Sequence, residues 1–218
     1  MNPILTRKWT KVVVFLLCLV PLAILVLRGL HNDLSANAVE FVEHWTGDWT
    51  LRFLIITLAV TPLRKLLKLP QLIRFRRMLG LFAFFYGCLH FSTWLALDRY
   101  FKWPEMLKDV AKRPYITVGF TGFVLMIPLA ITSTAGWIRR MGGKRWQLLH
   151  RAIYISAIAG VIHYYWLVKS DVRKPLQYAA IVAMLLAWRI VSWLNNRRQN
   201  AGVAGALRSE EPTTAETI

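Results

Sequence analysis

Three of the five histidines in the sequence lie in long apolar stretches, where an ionisable ring is costly and usually serves a function. His90 and His163 each follow a glycine by three residues, Gly87 and Gly160 respectively. Residues three apart share one face of a helix, so each imidazole has a bare patch of backbone beside it. A flat macrocycle needs such a gap next to its axial ligand. The pattern therefore indicates bis-histidine ligation of a haem by His90 and His163.

The depths of the two histidines agree with that interpretation. His90 precedes Asp98 by eight residues, and His163 precedes Lys169 by six. With a rise of 1.5 Å per residue, both rings are expected about 9–12 Å below the same membrane boundary. Two other interpretations fit the spacing, namely hydrogen bonds between helices and a proton relay in a transporter. Transporters often have internal repeats or broken helices, and the sequence shows neither plainly.

The third histidine, His150, lies thirteen residues before His163. On an ideal helix this spacing separates the two side chains by about 20 Å along the axis and roughly 140° around it. The third apolar stretch has no matching histidine, because Arg77 and Arg76 stand thirteen and fourteen residues before His90. We interpret His150 as the mark of an inner redox site. It would ligate a second haem with another partner, or contact a quinone or flavin headgroup.

Arginine side chains are candidates for holding the acidic groups of a cofactor. Arg76 and Arg77 begin the third apolar stretch, and Lys144 and Arg145 precede the fifth. The planar guanidinium gives bidentate hydrogen bonds to carboxylate and phosphate, so these residues would bind a haem propionate or a flavin phosphate. Ordinary topology signals and contacts with lipid phosphate are the alternative interpretation.

These residues must be positioned by helices that cross a membrane. The 218-residue chain is 56% hydrophobic and only 18% charged, and soluble domains have a larger charged fraction. Its apolar residues fall into six runs, each close to the roughly 20 residues that a helix needs to cross about 30 Å of hydrocarbon. The sequence therefore predicts an all-α membrane protein, a bundle of six transmembrane helices. The runs cover approximately residues 11–28, 50–66, 78–97, 115–135, 147–168 and 176–194.

The distribution of charge predicts the orientation of the bundle. Basic clusters precede the first run, fill the connections after the second and fourth, and follow the sixth, whereas most acidic residues lie in the other connections. Basic loops stay in the cytoplasm, so both termini are expected inside a bacterial inner membrane. The net charge of +17 then reflects topology, not nucleic-acid binding. The predicted divisions are a cytoplasmic N-terminus at 1–10, the transmembrane domain at 11–195 and a disordered cytoplasmic tail at 196–218.

The cysteines limit the kinds of cofactor that the chain can hold. Only two occur, Cys18 and Cys88, and both lie inside apolar runs. The sequence has no C-x-x-C-H segment for covalent haem attachment. It also lacks the ligand sets of iron–sulfur clusters and structural zinc sites. A haem in this chain is therefore expected to be bound non-covalently.

Several segments resemble the MsrQ (YedZ) family, the haem-binding membrane subunits of MsrPQ protein-methionine-sulfoxide reductase systems. They also resemble, more loosely, the ferric-reductase-like transmembrane superfamily. The resemblance runs from about residue 10 to 195 and keeps the spacing between motifs. It is most specific at Lys144–His150 and at Ala159–Trp166. The other matching segments are Thr61–Leu63, Ile73–Gly80, Leu89–His90, Arg113–Tyr115 and Thr132–Thr134.

The resemblance implies a b-type haem, FMN, and delivery of electrons to a periplasmic molybdopterin methionine sulfoxide reductase that repairs oxidised proteins. By motif position it assigns the haem histidines to His90, His150 and His163. The superfamily's paired inner histidine is missing, since Arg76 or Arg77 stands there, so one haem is expected and a second needs another partner for His150. The chain would be an electron-transfer subunit, not itself catalytic on the sulfoxide.

The electron donor is expected to be a separate molecule. Roughly twenty residues follow the last apolar run, which is too few for a flavin or nicotinamide domain. No G-x-G-x-x-G segment follows a strand–helix pattern. Electrons would come from membrane quinol or from a cytoplasmic flavin reductase. A ferric-reductase-like haem protein that serves another acceptor is the alternative within redox chemistry.

Overall fold

The computed structural model describes residues 7–209 and the side chains of residues 7–200, and its regular structure over this range is entirely helical. A short 3-10 turn, Pro70–Leu72, precedes the third helix, and a π-helical segment, Trp94–Asp98, extends it. The α-helices of this range are α1 Lys8–Leu30, α2 Ala38–Leu66, α3 Ile73–Thr93, α4 Trp103–Lys112, α5 Pro114–Ile131, α6 Ala135–Met141, α7 Gly143–Leu149, α8 Ala152–Leu167 and α9 Arg173–Ser209.

Local sequence signals explain several helix ends. The Asn37 side chain accepts a hydrogen bond from the Glu40 N–H and so caps α2. Pro114 stands in the first turn of α5, where its missing N–H costs no intrahelical bond. Between α6 and α7 the chain turns at Gly142, whose φ of +75° is a conformation that favours glycine.

The six predicted apolar runs coincide largely with helices, and the all-helical prediction is confirmed for the described residues. Two of these helices are less suited to a membrane than the rest. The α8 helix has only 16 residues, and α2 carries Asp48 and Arg52 among its apolar residues. The count of six crossings therefore stays a prediction. Four segments are long and apolar enough to cross a membrane, namely Lys8–Leu30, Pro70–Asp98, Pro114–Ile131 and Arg173–Asn200.

Two segments add to what the sequence predicted. The connection after the third run contains α4, a strongly amphipathic helix of 10 residues. The last helix continues to Ser209, so residues 196–209 of the predicted disordered tail are helical in the structure. The remaining parts of the predicted termini, residues 1–6 and 210–218, lie outside the described residues.

Two close helix pairs build the bundle, α2 with α3 and α5 with α8. At one point the second pair needs glycine, because a Cβ on Gly122 would lie 3.1 Å from the Cβ of Ala159. The α1 helix leaves most of its apolar residues exposed, as a helix beside lipid would. The residues buried at the centre of the bundle include Leu58, Ala83, Tyr86 and Ala157.

Charge divides the bundle into two halves. One half, called here the acidic end, contains every acidic residue between positions 7 and 209. The opposite half, the basic end, contains the α2–α3 and α5–α8 connections and the later part of α9. The structure thus keeps the charge asymmetry that predicted the membrane orientation. The acidic residues are Asp33, Glu40, Glu43, Asp48, Asp98, Glu105, Asp109 and Asp171.

A buried tyrosine ties α1 to α3. The Tyr86 hydroxyl donates to the Cys18 carbonyl at 2.9 Å and accepts from the Leu22 N–H at 3.1 Å. In a regular helix those two backbone groups would bond to each other, since they are four residues apart. Pro21 lies between them, and proline commonly disturbs the helical hydrogen bonds around it. The tyrosine hydroxyl bonds to both groups beside this proline.

Replacing Tyr86 with Phe removes the hydroxyl and leaves both backbone groups without their bridge. We expect Tyr86→Phe to lower the free energy of unfolding by about 1–3 kcal/mol, because the groups are buried. The measurement is the unfolding temperature in detergent. Tyr165→Phe is the matched control, because the Tyr165 side chain is 45% exposed. Equal unfolding temperatures for the two variants would show that the Tyr86 hydroxyl does not stabilise α1.

Candidate functional site

The two histidines singled out by the sequence face each other in the acidic end. His90 lies near the end of α3 and His163 near the end of α8. Their ring centroids are 6.1 Å apart, and the ring planes cross at 72°. The structure therefore brings together the pair that was predicted to share one depth.

Each of these imidazoles is bonded to a backbone carbonyl of a neighbouring helix. His90 Nδ1 lies 3.0 Å from the Glu43 carbonyl oxygen, and His163 Nδ1 lies 2.7 Å from the Tyr115 carbonyl oxygen. A carbonyl only accepts, so Nδ1 carries the proton in both rings and the neutral ring has its lone pair on Nε2. Metal-ligating histidines usually have this arrangement, with the second ring nitrogen donating to a carbonyl or carboxylate.

A glycine lies against the imidazole ring at each of these hydrogen bonds. Gly47 comes four residues after Glu43, and an added Cβ there would lie 3.1 Å from His90 Cε1. Gly119 comes four residues after Tyr115, and its Cβ would lie 2.6 Å from His163 Nδ1. A helical carbonyl points toward the residue four positions on. A ring that reaches that carbonyl therefore covers this position, which must lack a side chain. We call each combination a carbonyl–glycine pair.

The separation of the rings fits a metal ion held between them. An imidazole nitrogen binds a transition metal at about 2.0–2.1 Å, and its ring centroid lies roughly 1.1 Å further out, so two trans imidazoles have centroids about 6.3 Å apart. The observed distance between His90 and His163 is 6.1 Å. A haem iron makes two such axial bonds, so the pair also fits a haem.

A cavity of about 400 Å³ surrounds the histidine pair. The sequence predicted that Gly87 and Gly160 would adjoin the histidine rings. Both line the cavity, but an added Cβ would first meet other side chains, Met126 for Gly87 and Leu51 for Gly160. The residues next to the rings are instead glycines of α2 and α5. In all, five glycines line the cavity, which suits a flat ligand that approaches backbone closely: Gly47, Gly87, Gly119, Gly122 and Gly160.

Acidic residues surround the mouth of this cavity. Glu43 and Asp98 both line it, together with Arg99 and Arg113. Burial raises the pKa of the Glu43 carboxyl to about 7, and the nearby Asp98 carboxylate adds to the shift. At neutral pH the Glu43 carboxyl is therefore protonated in a large fraction of molecules. This reduces the negative charge next to the His90 ring.

His150 lies in a separate cavity of about 230 Å³ at the basic end. Its Nε2 is 3.1 Å from the Thr132 hydroxyl oxygen. That hydroxyl donates to the Pro128 carbonyl at 2.6 Å, so it accepts from the histidine and Nε2 carries the proton. The His150 ring also stacks on Trp146, with centroids 3.9 Å apart. His150 therefore carries its proton on Nε2, whereas His90 and His163 carry theirs on Nδ1.

The two arginines predicted to hold a cofactor line the cavity of His150. Arg76 and Arg77 both contribute to its wall, so the structure brings these three predicted site residues together and keeps them apart from the other histidine pair. Within residues 7–209, no group of three or more His, Cys, Asp or Glu side chains forms a metal cluster.

The sequence analysis missed the residues that orient the histidines. The acceptors for the Nδ1 protons are backbone carbonyls, which have no side-chain signature, and isolated glycines are common in transmembrane helices. A signal exists in retrospect. The segments Glu43–Gly47 and Tyr115–Gly119 share a four-residue spacing, and each lies on the helix that precedes a histidine-bearing helix or packs against it.

The chain has clear relatives among characterised sequences. The profile of the family "ferric reductase like transmembrane component" matches residues 46–161. A protein of Herminiimonas arsenicoxydans is 53% identical over 89% of this chain and 90% of its own length. A protein of Ralstonia nicotianae is 49% identical over 95% of this chain and 96% of its own length. A protein of Caulobacter vibrioides is 48% identical over 81% of this chain and 84% of its own length. All three are named protein-methionine-sulfoxide reductase heme-binding subunit MsrQ. No solved structure matches the chain.

The carbonyl–glycine pairs can be tested at Gly119. Alanine at this position puts a Cβ where the His163 ring stands, so the ring must move off the Tyr115 carbonyl. We expect Gly119→Ala to cost about 1–3 kcal/mol of stability, as overpacking does, measured as a lower unfolding temperature. Gly29→Ala is the control, since its Cβ would meet only Leu34 Cδ1 at 3.8 Å. A Gly119→Ala protein as stable as the control would contradict the proposed packing.

Proposed function

The chain belongs to the MsrQ family of ferric-reductase-like membrane proteins, and from this premise we propose that it is the haem-binding subunit of a protein-methionine-sulfoxide reductase. In this role it carries electrons through the membrane to a partner protein. The partner reduces the methionine sulfoxide, so this chain is an electron-transfer subunit and not catalytic on the sulfoxide by itself.

In this proposal His90 and His163 would hold the haem iron through their Nε2 atoms. The observation that supports it is the facing pair of neutral imidazoles, 6.1 Å apart, each with Nδ1 bonded to a carbonyl. Neither Nε2 makes a hydrogen bond among the described residues, so both remain available to a metal. The cavity around them is lined by glycines and aromatic rings, which suits a flat non-covalent haem of b type.

A haem bound there supplies an iron that accepts and releases one electron at a time. The residues of the chain fix the two ring orientations and bury the site. The Glu43 and Tyr115 carbonyls accept the Nδ1 protons, which increases electron donation from each imidazole to a metal. Burial and these hydrogen bonds then set the reduction potential of the site.

The proposed orientation rests on the charge of the two ends. Six crossings with both termini in the cytoplasm would put the acidic end on the periplasmic side of the bacterial inner membrane. The histidine pair then lies near the periplasm, where a molybdopterin methionine sulfoxide reductase would dock. The names of the relatives support a partner of this kind.

The cavity of His150 is the entry point for electrons in this proposal. Arg76 and Arg77 beside it would bind the acidic groups of a second cofactor, either a further haem or FMN. Ligation of a haem by His150 would require its Nε2 to leave the Thr132 hydroxyl. A flavin or quinone headgroup would instead contact the His150 ring while its Nε2 stays bonded to the Thr132 hydroxyl. The donor is quinol from the membrane or a cytoplasmic flavin reductase.

The wider family match favours one alternative. A ferric-reductase-like haem protein would use the same histidine pair to reduce another acceptor. The two functions differ in the acceptor alone. Mixing the dithionite-reduced protein with the molybdopterin reductase and methionine sulfoxide distinguishes them, because only the proposed function predicts rapid reoxidation of the haem.

The haem itself is tested by a reduced-minus-oxidised absorption spectrum of the purified protein. We expect a b-type spectrum whose contribution from the periplasmic-side haem is lost in both His90→Ala and His163→Ala, because each variant removes one of the two axial bonds. His31→Ala is the matched control, since His31 lies in the α1–α2 connection away from the cavity. A wild-type protein that stays colourless after expression with ample haem would refute the proposal.

A further inference from the structure

The helix α4 joins two of the segments that are long and apolar enough to cross a membrane. Its ten residues correspond to about 15 Å along a helix axis, half of the roughly 30 Å of hydrocarbon, so α4 itself cannot cross. Residues 99–102 connect it to the segment Pro70–Asp98, and Arg113 alone separates it from Pro114–Ile131. These short connections hold α4 at the membrane boundary of the acidic end.

One side of α4 is fastened to the bundle. The Met106 side chain is buried. Asp109 lies between two arginines, with Oδ2 2.7 Å from Arg99 Nη2 and Oδ1 3.1 Å from Arg113 Nε. Both arginines line the mouth of the histidine cavity. These contacts fix the rotation of α4 about its own axis and tie the helix to that mouth.

The fixed rotation leaves a second apolar side of α4 uncovered. Successive residues of a helix are about 100° apart, so Leu107 points about 100° away from Met106. Leu107 is 71% exposed, and Trp103, one turn earlier on the same side, is 59% exposed. A third side of the helix is charged and also exposed. Its residues are Glu105, Lys108 and Lys112.

The turn that leads into α4 adds exposed aromatic rings. Tyr100 and Phe101 have φ values of +48° and +57°, a left-handed conformation that costs energy for residues other than glycine. Both side chains are exposed. The rings of tyrosine and tryptophan favour the headgroup level of a bilayer, where one end of the ring is apolar and the other is wet.

We propose that α4 lies in the boundary between lipid headgroups and acyl chains, with Trp103 and Leu107 in contact with the acyl chains. Three adjoining sides, one on the bundle, one apolar and one charged, are what a helix lying flat in this boundary requires. The lysines of the charged side suit the phosphates of the headgroups. Because Asp109 ties α4 to Arg99 and Arg113, the lipid then also steadies the mouth of the cavity. The proposal does not depend on a haem.

The test places a spin label on α4 of the full chain, reconstituted in phosphatidylcholine vesicles. The parent chain carries Cys88→Ala, and its other cysteine, Cys18, is buried and shielded from the label. We expect a label at Leu107→Cys to lie about 5–10 Å below the headgroups. It should therefore collide more often with oxygen, which concentrates in hydrocarbon, than with a water-soluble nickel chelate.

Glu105→Cys is the matched control, because Glu105 lies about 160° from Leu107 around the same helix and its side chain is 57% exposed. Its label should collide more often with the nickel chelate. If Leu107→Cys does not fold, Ala111→Cys repeats the measurement, since Ala111 is exposed and about 40° from Leu107. Its own control is Lys112→Cys on the charged side.

Two results would overturn the proposal. A label on the apolar side that favours the nickel chelate would show that this side faces water. A label there that collides weakly with both reagents would show that protein covers it, either a second copy of the chain or another subunit.

Discussion

The hydrogen bond from a histidine Nδ1 to a helix carbonyl is the interaction on which the candidate site depends. It fixes the tautomer and the direction of each ring, and it leaves Nε2 of His90 and His163 without a proton. Glycine stands four residues after each acceptor carbonyl, where an added Cβ would lie 3.1 Å from His90 Cε1 or 2.6 Å from His163 Nδ1. Since the acceptors lie on α2 and α5, the packing of α2 on α3 and of α5 on α8 orients the rings. The fold and the chemistry of the site are therefore coupled through two backbone contacts.

The two cavities differ in the hydrogen bonding of their histidines and in the charge that surrounds them. At the acidic end the histidines are oriented for a metal, and the cavity is lined by glycines. At the basic end His150 is bonded through Nε2 to Thr132, and the surrounding charges are all positive. Positive charge favours an anionic ligand at this end. The same asymmetry of charge is the basis of the membrane orientation predicted from the sequence.

Much of this arrangement could be predicted from the sequence, and the reasons are physical. Long apolar runs specify membrane-length helices, and a histidine at membrane depth is conspicuous because burial of its ring is costly. The similar depths expected for His90 and His163 were enough to predict that the two rings lie close together. What could not be predicted depends on which helices touch. The acceptor carbonyls of Glu43 and Tyr115 and the bridging hydroxyl of Tyr86 are contacts between distant segments. The helix α4 was missed because its ten residues are too few and too polar for an apolar run.

The most direct test of the central claim is the electron paramagnetic resonance spectrum of the oxidised protein, recorded on the His150→Ala variant so that only the site between His90 and His163 contributes. If both imidazoles bind the iron, the spectrum is low-spin. Its g-values are then widely spread, because the ring planes cross at 72° and not in parallel. A high-spin spectrum would mean that one axial position is open or held by a weak ligand, and it would contradict bis-histidine ligation.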